Sequence, residues 1–324
     1  MSSPKVELEV DHDARFRREF LEGFEKDVED IATDKDKQDL LISIQSFAFN
    51  FIKESLKRPA DTETVQQGLD VLWKMFLEAG TAIDSSSLFQ DRLVLLLLWT
   101  KQFDLFHKDM HSVSETAKDW ESYGFAESLQ TSWEQLARTG TTAQLCNLAT
   151  FSAKVLSAGI CQDQLCSTAL WYLREVLEMN DQAKTTRLLP AAVVWMDLGS
   201  HALLRYSVSG HDDQQSKPHL LDVGPLAQDG GVNLQGFSLN RWLFWRHRFK
   251  RLSHHADVSV SSVARKGFMA MINCGRDLDY EIPGEATFAQ KLQEAMWTEL
   301  VKTGKESLDG DEIDIDPDWV DERH

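Results

Sequence analysis

Proline and glycine are scarce in this sequence, at seven and 17 of 324 residues. A chain so short of turn residues is poorly supplied for the many tight turns of a β-sandwich or barrel. Cysteine is scarcer still. Cys146, Cys161, Cys166 and Cys274 form no dense framework, so reduced, buried thiols are expected rather than a disulfide scaffold. Long apolar runs are also missing. The longest, Leu93 to Trp99, falls far below the ~20 residues that span a bilayer. The opening residues, Met1 to Glu7, hold no apolar stretch of the signal-peptide kind. These absences predict a cytoplasmic protein with no membrane span, the nucleus remaining open as a location.

Basic charge is the remaining shortage. Thirty-four Lys and Arg residues face 52 Asp and Glu, a formal charge of −18. Such a chain is repelled by phosphate backbones and anionic bilayers, so no nucleic-acid partner is expected.

What is present is apolar and aromatic. Hydrophobic residues make up 42% of the chain, with ten Trp and 17 Phe, enough for a sizeable core. They recur at spacings of three and four. Phe16, Phe20, Phe24, Val28 and Ile31 line one face over residues 15–31, the mark of an amphipathic helix. The same pattern predicts helices near 37–57 (stopping before Pro59), 64–79, 88–107, 115–137, 142–158, 163–179, 185–206, 238–253, 258–274 and 284–303. Ser87 with Gln90, Ser112 with Glu115 and Thr141 with Gln144 have capping-box spacing at three of these starts. Pro190 fits a late first turn or a kink. The expected fold is all-α, an irregular bundle of about ten to eleven helices.

Two segments break the pattern. Residues 208–235, with Gly210 and Gly230-Gly231, read as a long surface loop and an internal boundary. From Asp309 to Glu322 there are eight carboxylates and no Lys or Arg, so self-repulsion predicts a disordered acidic tail. Asp309-Gly310-Asp311 fails as a calcium loop because Asp314 stands where glycine is needed. The organisation expected is an N-terminal helical segment (1–59), a main helical domain (60–304) and the tail (305–324).

One block is more specific. Gly236-Phe237-Ser238-Leu239-Asn240-Arg241-Trp242-Leu243-Phe244-Trp245 resembles the signature of a fungal family, domain of unknown function 3632. Leu72 to Phe76, Asn147 to Arg174 and Ala191 to Met196 are similar to that family in the same order, over roughly residues 60–275. The resemblance implies a fungal origin, an all-α fold and no established activity; some members sit beside secondary-metabolite gene clusters, which bears on context and not on chemistry.

Candidate sites centre on that signature helix. Trp242, Trp245, Phe249 and Leu252 share an arc of about 80°, flanked by Arg241 and Arg248, with Arg246, Lys250 and Arg251 around the rest. Arginine beside aromatic faces suits carboxylate or phosphate groups. The alternative is a core helix with its tryptophans packed inward, the orientation expected here. The acidic tail could fold back over this basic helix and shield it until a partner competes, because the two carry local opposite charge in a chain that is otherwise acidic throughout. His201 with Asp197 four residues earlier is the neatest acid–base pair, although a structural histidine fits the same spacing. His211-Asp212-Asp213 reads as a solvated turn.

No HExxH, Gly-x-Ser-x-Gly, phosphate loop or dinucleotide fingerprint occurs, and no metal or cofactor is predicted. The expectation is an accessory helical protein that binds a protein partner or small molecule. The alternative is a cofactor-independent cyclase or isomerase with an enclosed aromatic-lined pocket.

Overall fold

The computed structural model describes residues 4–57, 62–110, 124–210, 217–305, 307, 313 and 315–320. Among them lie thirteen α-helices and no strand. Eleven of the helices have seven residues or more, which agrees with the all-α expectation. The chain forms two compact units, residues 1–165 and 166–324.

The first unit holds α1 (Pro4–Glu29), α2 (Asp34–Lys57), α3 (Thr62–Ala82), α4 (Leu88–Met110), α5 (Phe125–Thr139), α6 (Thr142–Ser157) and the start of α7 (Gln162–Leu173). Its centre is the run Leu72, Trp73, Met75 and Phe76 on α3, all fully buried. Phe125 meets Trp73 edge-on at 5.3 Å, an arrangement aromatic quadrupoles favour. Trp133 is also buried and donates its indole N–H to Ser152 Oγ (3.2 Å), so a large polar-tipped ring is satisfied inside the core.

The local signals at helix starts fared differently. Thr141 and Gln144 form a reciprocal capping box. Ser87 and Gln90 do not. Gln90 is buried and donates Nε2 to the carbonyls of Gly80 (3.1 Å) and Ile83 (2.6 Å), satisfying the end of α3 instead of the start of α4. The pair Ser112–Glu115 lies outside the described residues. So does the predicted start of the helix ending near 137, which is seen from Phe125 after Gly124 at φ +86°.

The second unit continues α7 through a π-helical turn, Arg174–Glu178, into α8 (Gln182–Ser209). The Asp181 side chain caps α8 by accepting from Lys184 N (3.0 Å). Pro190 therefore lies in the interior of α8, beyond its first turn. Next come α9 (Pro218–Leu221) and α10 (Pro225–Asp229), followed by α11 (Leu239–Ser253), α12 (Val258–Asp277) and α13 (Glu285–Thr303).

The expected loop over 208–235 thus contains two short helices, each opened by a proline whose missing N–H costs nothing at the first helical position. Residues 211–216, including His211, lie outside the described residues. Helices α8, α11 and α12 pack together, with Phe249 of α11 directly over Gly267 of α12. A Cβ at Gly267 would sit 2.5 Å from that ring, so the glycine is what permits the close approach.

Part of the acidic tail is among the described residues. Residues 317–319 form a 3-10 turn, Trp319 lies 6.0 Å from the Phe288 ring of α13, and Val320 is buried. Apolar anchors here outweigh the self-repulsion that predicts an extended chain. The turn also meets the basic helix. Asp318 Oδ1 lies 3.3 Å from Lys250 Nζ and 3.6 Å from His254 Nε2, as the opposite charges suggested. The rest of the tail lies outside the described residues. No described helix is long and apolar enough to cross a membrane.

Candidate functional site

Ser238 starts α11 by accepting from Arg241 N (3.2 Å) with its hydroxyl, which sets the phase of the signature helix. Its apolar arc then faces inward. Trp242, Trp245, Phe249 and Leu252 are all buried, and the two indoles meet edge-on at 6.5 Å.

Arg241 follows them in. Its Nε and one Nη bind the two oxygens of Glu178 (2.7 and 3.0 Å). The remaining donors go to the carbonyls of Leu221 (3.0 Å), Gly236 (2.9 Å) and Asp222 (2.6 Å). All five guanidinium donors are used, so Arg241 has none to offer a ligand. Glu178 is equally saturated. Oε1 also accepts from Trp245 Nε1 (2.7 Å) and Oε2 from Gly224 N (2.7 Å). Both side chains are fully buried. The pair ties α11, the π-helical turn and the α9–α10 segment together.

The other face of α11 is open. Phe244, Arg248 and Arg251 fall within about 60° of one another on the helix surface. They line a cleft of about 650 Å³ opposite α10 and the Gly230-Gly231 turn. Phe244 forms part of its wall with Gly230 against the ring, where a Cβ would come within 2.9 Å of it.

Arg246 and His247 also line the cleft, and Asp229 is the one carboxylate among the lining residues. Arg246 is held within the protein, donating to Glu285 Oε1 (3.2 Å) and to the carbonyl of Pro283 (2.8 Å). Burial drives the Glu285 carboxyl up to about 7, outweighing the attraction of Arg246. Arg248 differs in having no carboxylate within ion-pair distance among the described residues. Its Nε is buried with no hydrogen-bond partner among them, and partial burial, then the neighbouring Arg251 charge, disfavours its charged form.

The expected site residues therefore separate. Arg241, Trp242 and Trp245 belong to the interior, and Arg248 lines the cleft. His201 and Asp197 are exposed on α8, and the ion partner of His201 is Asp277 of α12 at 3.9 Å. No group of three or more metal-binding side chains occurs among the described residues. Phe244 and Asp229 were not anticipated. The spacing Phe244–Arg248–Arg251 could have signalled them as one stripe, but the inward tryptophans dominated the helix pattern.

Residues 73–249 match the family described as Protein of unknown function (DUF3632), more than half of the chain. The chain belongs to this family. As a family member it is matched along α11 as far as Phe249, two residues short of Arg251. A relative from Penicillium oxalicum, Oxopyrrolidines biosynthesis cluster protein G, is 25% identical over 256 residues, 69% of this chain and 71% of its own length. No solved structure matches the chain.

Proposed function

We propose that this family member is a cytoplasmic accessory protein of fungal secondary metabolism that binds a small molecule in the cleft between α10 and α11. The cleft itself carries the reading. Its volume falls in the range of small-molecule sites, and it combines an aromatic wall with a few convergent polar groups. The named role of the Penicillium relative in a biosynthesis cluster supports the metabolic setting.

A cofactor-independent cyclase or isomerase calls for an enclosed pocket walled by several aromatic rings. This cleft is open, and Phe244 is the one Phe, Tyr or Trp among its described lining residues. Binding is the better supported reading.

The test pairs chemistry with genetics. The purified protein is incubated with an organic extract of the fungus that encodes it and examined by native mass spectrometry. Asn240→Trp, which places a bulky neutral ring at the cleft wall from an exposed helix position, serves as the blocked variant. A ligand adduct on the wild type that is absent from the variant, together with an altered metabolite profile after gene deletion, is the expected result. An adduct that survives in Asn240→Trp, or no adduct at all, would overturn the proposal.

A further inference from the structure

Resting on the reading of this cleft as a ligand site, we infer that its ligand is an organic oxyanion. A carboxylate or phosphate on a flat apolar group is held by Arg248 and Arg251, with the apolar group against Phe244.

The assignment follows from where the other cations are spent. Arg241 uses all five donors inside the protein. Arg246 is engaged by Glu285 and Pro283, and Lys250 by Asp318. Arg248 and Arg251 have no carboxylate within ion-pair distance among the described residues, in a chain that has 52 acidic side chains to offer.

Two guanidiniums one helical turn apart repel each other, and a buried Nε–H without an acceptor is unfavourable. Folding alone would be served better by a glutamate at either position. An incoming oxyanion removes the repulsion: it accepts from the terminal nitrogens of both forks and neutralises the crowded charge.

The geometry also selects the rest of the molecule. Phe244 lies one turn before Arg248 on the same stripe, so a ring attached to the oxyanion meets an aromatic wall. Asp229 on the far side can accept from a hydroxyl or amide N–H of the ligand. A long polyanion is disfavoured, because two free cations cannot offset the field of a chain charged −18. A small acid loses little to that field.

Titration calorimetry of the full chain at low ionic strength tests this, with benzoate, phenyl phosphate, inorganic phosphate and neutral benzamide as probes. At least one aryl anion should bind ~10-fold or more tightly than benzamide, and the tighter of the two identifies the headgroup. Arg251→Gln, an exposed position that leaves folding intact, should weaken that anion about 10-fold, as should Arg248→Gln. The exposed Arg276→Gln should leave it unchanged.

The inference is overturned if neither aryl anion binds, if benzamide binds equally well, or if both cleft variants bind as the wild type does. Inorganic phosphate binding as tightly as phenyl phosphate would remove the apolar part. Benzamide binding that Asn240→Trp abolishes would sink the oxyanion while leaving the cleft as a ligand site. Probe binding that Asn240→Trp leaves unchanged would sink the cleft itself.

Discussion

Glu178 and Arg241, 63 residues apart in sequence, meet as a fully buried bidentate pair in which every acceptor site and every donor is used. Burying two charges is costly, and only this complete satisfaction makes the pair tolerable. Removing one partner is therefore worse than removing both. Glu178→Leu leaves a buried guanidinium uncompensated and should cost about 3–5 kcal/mol in urea denaturation. Adding Arg241→Met should cost clearly less in that background than alone. Additive losses in the double-mutant cycle would show that the pair does not act as a unit.

The two tryptophans of α11 give a sharper contrast. Trp245 donates to Glu178, whereas Trp242 Nε1 is buried with no partner among the described residues. Trp245→Phe strips a hydrogen bond from a charged acceptor and should lose roughly 1.5–3 kcal/mol from that bond, on top of the lost ring volume. Trp242→Phe deletes an unsatisfied N–H along with similar volume, so its cost should be visibly smaller. Equal losses for the two variants, measured by thermal or urea unfolding, would contradict this account.

Glu285 predicts a pH dependence. Its carboxyl titrates near 7 in the folded state because burial outweighs Arg246, against 4.5 ordinarily. Between those values the folded chain holds a proton that the unfolded chain has released, so stability falls as pH rises. The contribution is fully present below about 4.5 and gone above about 7. In Glu285→Gln this slope is absent. The wild type should lose on the order of 2 kcal/mol relative to the variant between pH 5 and pH 8. Parallel stability curves for the two proteins would refute it.

Most of the fold is legible in the sequence because helix periodicity is a local property. The three-and-four spacing of Leu72, Trp73 and Phe76, or of Trp242, Trp245 and Phe249, marks an inward face without reference to any partner. Thr141 and Gln144 are likewise read correctly, as their capping bonds are made within one turn. Gln90 is not, since its partners are carbonyls at the end of the preceding helix.

The candidate site is harder for the same reason. Arg241 and Arg248 look alike in sequence, and what separates them is Glu178, a glutamate in the plain segment Arg-Glu-Val-Leu-Glu with nothing to distinguish it. One guanidinium meets a buried carboxylate and the other does not. That difference is tertiary, and periodicity carries no trace of it.

The π-helical turn at Arg174–Glu178 fixes the length of the chain as tightly as its charges. Deleting a single residue there would return the segment to α spacing and swing Glu178 about 100° away from the guanidinium that neutralises it. The segment is therefore intolerant of a change in length, even where it tolerates a change of side chain.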